Sequence, residues 1–321
     1  MKAIVYHEYG TADVLSYADI EPPTAGDHDV LIRVRAASLN FADRVHLHGT
    51  PRIARLAFGP RRPKVTTLGR DVAGTVEAVG AQVTRFRVGD DVFGEMDQRG
   101  FAEYVTTPEV HLAAKPAGVT FAQAATLPVA GTTALQAMRV GEVGPGSTVL
   151  INGASGGVGT FAVQLAKTLG AHVTGVCSAR NAKVVRSIGA DRVIDYSSTD
   201  VTRGPDRFDV VIDLAGNHPL PEIRRVLAPR GIFVASSGNG GPVLGPLPGL
   251  LAMTIVAPFV GQRLRSFVTK PSAADLALLA GLVEEGKVTP VIERTYPLSE
   301  TAEAFRRLER EHAQGKIVLS L

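Results

Sequence analysis

The strongest chemical signal in the sequence is a glycine-rich turn, Gly153-Ala154-Ser155-Gly156-Gly157-Val158-Gly159. It follows an apolar run, Ser147 to Asn152, and precedes a helical pattern from Thr160 to Leu169. Glycines here let the backbone approach a pyrophosphate, whose charge meets free N–H groups and the positive end of the helix dipole. The turn is a variant of Gly-x-Gly-x-x-Gly in a strand–turn–helix context, which predicts a dinucleotide site. The alternative is that the glycines only allow tight helix–sheet packing. The residues expected to contact the nucleotide are Ser155, Gly156, Gly157 and Val158.

The residues after the second strand of this unit favour NADPH over NADH. In NAD sites an Asp or Glu about 20 residues beyond the glycines binds the ribose 2′-hydroxyl, whereas a nearby Arg accommodates a 2′-phosphate. No acidic residue occurs between Glu142 and Asp191. Ser178, Arg180 and Lys183 follow the strand instead, and a hydroxyl, a guanidinium and an ammonium group suit a phosphate dianion. A solvated basic start of a helix is the alternative.

Two patterns along the chain predict an α/β protein with two domains. The first third is rich in short strands separated by Gly, Pro and Asp turns, which indicates a barrel-like β domain. From about Phe121, apolar strands alternate with helical segments, as is typical of a doubly wound parallel sheet. The last residues, Ile317 to Leu321, predict a strand that returns to the first domain. We therefore expect a β domain from residues 1–122 and 258–321 and a nucleotide-binding domain from residues 123–257.

Length and composition limit the classes of protein. The 321 residues suffice for about two domains of roughly 150 residues each. A composition of 45% hydrophobic and 20% charged residues excludes a disordered, collagen-like or coiled-coil chain. The net charge of +3 suits a small anion site better than a surface for a nucleic-acid backbone, so no nucleic-acid partner is expected.

The cysteine content, the first residues of the chain and one long uncharged stretch are the features that bear on location, and they predict a cytoplasmic protein. The single cysteine, Cys177, supplies neither an intramolecular disulfide nor a multi-cysteine zinc site. The first eight residues reach charged side chains too early for a signal peptide. Val243 to Gly261 is uncharged and about long enough to cross a bilayer, but it contains three prolines. We expect it to form a subunit or substrate surface and not a membrane contact.

Taken in order, the motifs resemble the medium-chain dehydrogenase/reductase superfamily, and within it the zinc-free quinone oxidoreductase-like branch. The resemblance covers nearly the whole chain and adds the following segments to the glycine turn: Ser38-Leu39-Asn40-Phe41-Ala42-Asp43, Gly69-Arg70-Asp71-Val72-Ala73-Gly74, Leu127-Pro128-Val129-Ala130-Gly131-Thr132-Thr133-Ala134, Gly189-Ala190-Asp191-Arg192-Val193-Ile194-Asp195-Tyr196 and Gly315-Lys316-Ile317-Val318-Leu319. It implies a GroES-like β-barrel domain and a Rossmann domain, and a homodimer.

The resemblance also implies the roles of further residues. Asn40 and Asp43 are expected beside the nicotinamide, where the amide orients a substrate oxygen and the carboxylate fixes the loop; an Asx turn that closes the strand is the alternative. Tyr196 is expected to flank the adenosine phosphate with Ser178 and Arg180. The nicotinamide end is expected to be lined by Thr133, Ala215, Ser237, Gly238 and Asn239.

The chain departs from zinc-dependent relatives at their metal ligands. Those relatives carry a cysteine near Asn40 and Gly-His-Glu where this chain has Gly69-Arg70-Asp71, so no metal is expected. Many quinone reductases also have Tyr at the position of Val45 and Arg at that of Leu47. The proton donor is therefore open, with His46 and His48 as candidates beside a role as ordinary loop residues.

These expectations predict an NADPH-dependent oxidoreductase that transfers hydride to small electrophilic molecules, namely quinones or other α,β-unsaturated carbonyl compounds. Reduced quinones and enolates take a proton from water, which suits a site without a Lewis acid. An enoyl-thioester reductase is the second hypothesis, because Leu39-Asn40-Phe41 also resembles the enoyl reductases of polyketide synthases. The third is a nonenzymatic NADPH-binding or RNA-binding protein related to lens crystallins, which only the basic pI of about 9.1 favours.

Overall fold

The computed structural model describes residues 1–236, 241–310 and 314–321. The strands, in chain order, are β1 (Lys2–Val5), β2 (Ser16–Asp19), β3 (Asp29–Ser38), β4 (Asp71–Val79), β5 (Asp91–Glu95), β6 (Tyr104–Pro108), β7 (Leu112–Ala114), β8 (Thr148–Asn152), β9 (His172–Cys177), β10 (Arg192–Asp195), β11 (Phe208–Asp213), β12 (Leu227–Ala235), β13 (Arg263–Ser266), β14 (Ile292–Pro297) and β15 (Lys316–Ser320). The α-helices are α1 (Phe41–His48), α2 (Arg55–Phe58), α3 (Phe121–Ala124), α4 (Thr132–Val140), α5 (Gly157–Thr168), α6 (Ala182–Ser187), α7 (Leu220–Val226), α8 (Leu247–Val256), α9 (Ala273–Glu284) and α10 (Thr301–Arg310).

A parallel sheet forms the second half of the chain. Its strands lie in the order β10-β9-β8-β11-β12-β13, and every neighbouring pair is parallel. The central strand β8 carries Val149, Leu150 and Ile151, all fully buried, because helices cover both faces of the sheet. This is the predicted doubly wound architecture. It places the ends of β8, β9, β10 and β11 along one carboxyl edge, where such sheets bind ligands.

A second, mixed sheet forms the β domain. Within the described residues its order is β14-β15-β3-β4-β5-β7, with β6 also paired to β3. The long strand β3 alternates buried and exposed side chains over its first half and becomes continuously buried near Ser38. The C-terminal strand β15 pairs antiparallel with β3, as Val318 lies opposite Ser38. The chain therefore returns to its first domain, as the sequence predicts.

The parallel sheet extends beyond residue 257, the predicted boundary of the nucleotide-binding domain. Strand β13 pairs in parallel with β12, so the nucleotide-binding sheet continues past that boundary to Ser266. The sequence of β13 alternates charged residues with a single leucine, and Arg263 and Arg265 both bind the carboxylate of Glu142. An edge strand tolerates such charges because one of its sides is unpaired, and for the same reason it lacks the apolar signature of a buried strand.

The uncharged stretch from Val243 to Gly261 contains helix α8 and a short 3₁₀ turn. Large apolar side chains at every fourth position, Leu247, Leu251, Ile255 and Phe259, are exposed. A spacing of four puts the helical members on one face of α8. In the part of the chain that the structure describes, no helix has the length and hydropathy needed to span a membrane.

Candidate active site

The glycine turn connects β8 to the start of α5, and glycine stands at its positions for different physical reasons. Gly153 has a φ of +88°, which favours glycine. A Cβ atom on Gly159 would lie 2.1 Å from the carbonyl oxygen of Gly153, so this glycine is needed for packing. Gly156 is different, because its φ of −77° suits any residue and the nearest atom to an added Cβ is 3.5 Å away. Its open side fits the approach of a ligand, as does the free N-terminus of α5.

The substitution Gly156→Ala separates ligand binding from folding. We expect an unchanged thermal midpoint, because the added methyl group meets no close protein atom, and a loss of roughly tenfold or more in affinity for NADPH, because it occupies the approach to the backbone. Titration calorimetry and thermal unfolding measure the two effects. Gly281→Ala is the matched control, since its Cβ is also unobstructed but lies on α9. Full affinity in Gly156→Ala would show that the turn holds no diphosphate.

The residues predicted for the adenosine end gather along the carboxyl edge of the sheet. Ser178 and Arg180 follow β9, Lys183 lies in the first turn of α6 and Tyr196 follows β10. The Ser178 hydroxyl is buried and has no hydrogen-bond partner in residues 1–236, 241–310 and 314–321. Arg180 and Lys183, two and five positions further along the chain, are exposed. An unsatisfied hydroxyl that two cationic residues follow so closely in the chain fits a phosphate group.

Two residues of this region were missed by the sequence analysis. Asp195 ends β10 and lies opposite Cys177 in the sheet register, so its carboxylate binds the backbone N–H of Ala179. Hydrogen bonds, first from the Ser197 hydroxyl, lower the pKa of Asp195 and keep it ionised. Asn181 donates from Nδ2 to Ser155 Oγ at 3.1 Å and thereby connects the turn after β9 to the glycine turn. Asp195 belongs to the motif that ends at Tyr196, but the motif gave it no role, and no quoted motif contains Asn181. Only strand pairing brings Asp195 to the site.

At the predicted nicotinamide end the structure brings Ala215 next to the glycine turn. The backbone nitrogen of Ala215 would lie 3.6 Å from a Cβ atom on Gly153, and it donates to Asp213 Oδ1. The hydroxyl of Thr133 is already engaged, because it donates to the carbonyl oxygen of Val129 and lies 2.8 Å from Thr269 Oγ1. Ser237, Gly238 and Asn239, which were predicted for the same end, lie outside the described residues.

Asn40 and Asp43 lie in the β domain, where β3 ends and α1 begins. The backbone N–H of Asn40 donates to Asp43 Oδ2 at 2.8 Å, which fixes the start of the helix. Asp43 is fully buried, and its second oxygen has no hydrogen-bond partner among the described residues. Burial raises the pKa of Asp43 to about 7. The Asn40 side chain is 7% exposed and donates from Nδ2 to Asp71 Oδ2 at 2.8 Å.

Asp71 is the centre of a buried polar cluster around Asn40. Its Oδ2 accepts hydrogen bonds from Ser38 Oγ at 2.9 Å and from Lys316 Nζ at 3.1 Å, in addition to the one from the Asn40 amide. Its Oδ1 accepts a hydrogen bond from the backbone N–H of Val129 at 2.9 Å. Lys316 was quoted in the sequence motif without a role, and the structure places its ammonium group in this cluster. Backbone contact between Gly315 N and Ser155 O, 2.8 Å long, joins the cluster to the glycine turn.

The two histidines considered as proton donors are bound to other groups. His46 Nδ1 lies 2.9 Å from the carbonyl oxygen of Ala42, and its ring stacks on Phe58 with centroids 3.8 Å apart. Burial lowers the pKa of His46, which disfavours the imidazolium form. His48 Nε2 lies 2.6 Å from Glu309 Oε1 on α10. Each histidine thus has one ring nitrogen engaged by a protein oxygen atom.

Comparison with known proteins decides the family. An alcohol dehydrogenase GroES-like domain model matches residues 26–137, and a zinc-binding dehydrogenase model matches residues 188–319. The quinone oxidoreductase of Pseudomonas aeruginosa is 34% identical over 329 residues, which cover 99% of this chain and 99% of that protein. The chain belongs to the medium-chain dehydrogenase/reductase superfamily. Its place is in the quinone oxidoreductase-like branch.

Two further similarities extend over nearly the whole of this medium-chain oxidoreductase. The chloroplastic NADPH-dependent alkenal/one oxidoreductase of Arabidopsis thaliana is 34% identical, over 99% of this chain and 79% of that protein. The solved structure of the quinone oxidoreductase from Coxiella burnetii has 32% identity and a TM-score of 0.88, and covers 100% of this chain and 99% of that chain. The predicted family, the GroES-like and Rossmann fold and the oxidoreductase class are confirmed.

The donor set of this family member does not fit the zinc named in one of its family models. Arg70 stands at a ligand position of the zinc-dependent relatives and forms an ion pair with Glu95, whose pKa burial raises. The neighbouring carboxylate of Asp71 is engaged by the ammonium group of Lys316. Two fixed cations disfavour a third at this place. Among the described residues no three His, Cys, Asp or Glu side chains form a metal-binding group.

Proposed function

We propose that this protein transfers hydride from NADPH to quinones or other α,β-unsaturated carbonyl compounds. The observation that carries the proposal is the direct connection between the glycine turn and the Asn40–Asp71–Lys316 cluster, through Gly315 and Ser155. The names of the similar quinone and alkenal/one oxidoreductases support both the substrate class and the use of a nicotinamide nucleotide. A small electrophilic substrate is therefore expected between the two domains.

The chain's own residues would bind, orient and stabilise charge. Bound NADPH would supply the hydride. The turn around Gly156 and the start of α5 would hold the diphosphate, and the buried Asn40 amide would direct an N–H toward the substrate oxygen. As a carbon–hydrogen bond forms at the electron-poor carbon, the conjugated electron pair moves to that oxygen, and solvent then supplies the proton. We propose that no metal takes part, because cationic side chains occupy the cluster.

A screen of NADPH consumption over quinones, enones, enals and enoyl thioesters tests this function. We expect turnover with quinones and enones and little with saturated ketones, whose alkoxide products lack a Lewis acid to stabilise them. Turnover restricted to enoyl thioesters would replace the proposal by the enoyl-thioester reductase. Background rates with every acceptor, combined with salt-sensitive retention of RNA, would favour the nonenzymatic alternative.

We propose NADPH and not NADH as the preferred nucleotide, and Arg180→Glu tests this choice. Arg180 and Lys183 are exposed and follow the buried Ser178 hydroxyl closely in the chain, and the ionised Asp195 binds the backbone N–H of Ala179, between Ser178 and Arg180. Losing a charge-assisted bond and adding a second carboxylate is expected to weaken NADPH binding roughly 10- to 100-fold and NADH binding by less than about threefold. Calorimetric titration of both nucleotides measures the difference.

The control for this experiment is Arg230→Glu, which changes the net charge equally at the opposite, amino edge of the sheet. It is expected to leave both dissociation constants unchanged. Equal losses of NADPH and NADH affinity in Arg180→Glu would remove the assignment of the 2′-phosphate to this place.

We propose that the exposed apolar face of α8, together with the free edge of β13, forms a homodimer surface. Leu247, Leu251 and Ile255 leave a continuous apolar strip that a second copy would bury. Light scattering is expected to give twice the chain mass of 33.8 kDa, and a monomer at micromolar concentration would contradict this. A cytoplasmic location and the lack of nucleic-acid and membrane partners stay predictions.

A further inference from the structure

Lys316 is a buried cation to which the proposed hydride transfer assigns no step. Its side chain is 2% exposed, and that of its partner Asp71 is 0% exposed. Taking an ammonium group out of water is strongly unfavourable unless its partners are well placed. The residue begins β15 and reaches from the glycine turn to the Asn40 loop of the other domain. Its position therefore calls for a physical explanation.

Three oxygen atoms receive the three N–H bonds of the Lys316 ammonium group. They are Leu39 O at 2.9 Å, Asn40 Oδ1 at 2.5 Å and Asp71 Oδ2 at 3.1 Å from Nζ. A lysine ammonium group has three donors and no acceptor, so these contacts use it completely. Because no donor is left for the substrate, Lys316 acts through the groups that it holds.

The ammonium group fixes which way the Asn40 amide points. Oδ1 of Asn40 faces Nζ of Lys316, and Nδ2 donates to Asp71 Oδ2 at 2.8 Å. A rotated amide would place its NH₂ group against the ammonium group and its oxygen against the carboxylate, which is unfavourable on both sides. The second N–H of Asn40 has a weak contact of 3.5 Å with the carbonyl oxygen of Ser38. That N–H is the one available to a substrate oxygen.

The same side chain packs on the glycine turn. A Cβ atom added to Gly157 would lie 2.9 Å from Cδ of Lys316, so the aliphatic stem lies directly against the start of α5. A parallel backbone bridge between Gly156 and Gly315 holds the two segments together. Lys316 therefore contacts both the proposed diphosphate site and the amide that faces the reaction.

We propose that Lys316 is a positioning residue that orients and polarises the Asn40 amide for the substrate oxygen. The inference rests on the proposed hydride transfer. A charge-assisted bond to Oδ1 draws electron density from the amide and makes its remaining N–H a stronger donor. This donor stabilises the oxygen as the conjugated electron pair moves onto it. The effect grows with the basicity of that oxygen, so an enone, which yields a basic enolate, depends on Lys316 more than a quinone does.

Lys316→Met tests this role, because methionine keeps an apolar stem over Gly157 and removes the ammonium group. kcat/KM for a cyclic enone is expected to fall roughly 30-fold or more, mainly through kcat, and that for a benzoquinone by less than about fivefold. The Kd of NADPH without substrate is expected to stay within about threefold, as the turn itself is unchanged. Lys316→Arg, which keeps the charge but shifts Asn40, is expected to give an intermediate ratio of enone to quinone loss.

Lys167→Met is the control, because it also removes a lysine from an ion pair, with the half-exposed Asp191, at the end of α5 opposite to the turn that Lys316 contacts. Both acceptors are expected to react at the wild-type rate in this variant. Equal losses with enone and quinone in Lys316→Met would overturn the positioning role. If Lys316→Met does not fold, an unchanged enone-to-quinone ratio in Lys316→Arg overturns it instead. A wild-type protein that reduces neither acceptor would refute the proposed function itself, which is a separate result.

Discussion

Asp71→Ala is expected to lower the free energy of unfolding by about 3–5 kcal/mol. The carboxylate is fully buried, and four donors converge on it, namely Ser38 Oγ, Asn40 Nδ2, Val129 N and Lys316 Nζ. Removing it leaves an uncompensated ammonium group and unsatisfied donors in a buried cluster. Urea unfolding at neutral pH, extrapolated to water, measures the loss, and an unchanged slope shows that both proteins expose the same surface on unfolding.

Asp91→Ala provides the comparison for this prediction. Asp91 is also a strand residue of the β domain with a lysine neighbour, Lys115, but its side chain is 40% exposed and the two groups are 3.6 Å apart. The Lys115 ammonium group is buried, but it also donates to the carbonyl oxygens of Pro116 and Val119, and water can replace the partly exposed carboxylate, so a loss of only about 0–1 kcal/mol is expected. In the double variant Asp71→Ala/Lys316→Met part of the stability is expected to return, because both buried charges are gone. Equal losses in Asp71→Ala and Asp91→Ala would show that the buried cluster does not stabilise the fold.

The elements with a clear hydrophobic period could be predicted from the sequence. A parallel sheet is predicted by the apolar runs of β8 and β11 and by the helix after the glycine turn, because the spacing of apolar residues differs between buried strands and crossover helices. Strand β13 could not be predicted in this way, since Arg263 and Arg265 alternate along it and their ion pairs with Glu142 depend on distant residues. Its identity as a sheet edge follows only from its pairing with β12.

The site shows the same division between local and distant information. The glycine turn could be found because its function requires a local backbone shape within seven consecutive residues. The Asn40 cluster could not be found in this way, because Lys316 lies 245 positions from Asp71 and 276 positions from Asn40 along the chain. The sequence shows that Asp71 and Lys316 belong to family motifs, but only the pairing of β15 with β3 brings their charges into contact. In the same way, only the pairing of β10 with β9 brings Asp195 to the backbone of Ala179 beside the predicted phosphate site.

Between about pH 4 and pH 7 the contribution of Asp43 to the free energy of unfolding is expected to fall as the pH rises. Burial, with the nearby Asp71 carboxylate, raises the pKa of Asp43 in the folded chain to about 7, although the Asn40 N–H, Lys316 and Arg70 oppose the shift. In the unfolded chain an aspartate titrates near about 3.9. Folding therefore takes up a proton in this window, and each pH unit costs up to about 1.4 kcal/mol. Below the window both states are protonated, and above it both are ionised, so the slope vanishes.

Asp43→Asn isolates this contribution, because asparagine accepts the Asn40 N–H with its own oxygen but does not titrate. Its amide group adds a cost that is independent of pH, so the slope of the unfolding free energy decides the question and its absolute value does not. Glu95, whose pKa burial also raises, is present in both proteins and cancels in the difference. Urea unfolding is measured at several pH values from about 4.5 to about 7.5. The free energy of unfolding of the variant is expected to rise relative to that of the wild type as the pH rises. Asp27→Asn, at an exposed turn, is the control, and its free energy of unfolding is expected to change with pH as that of the wild type does. The same pH dependence in Asp43→Asn and the wild type would mean that Asp43 is already ionised in the folded protein at low pH.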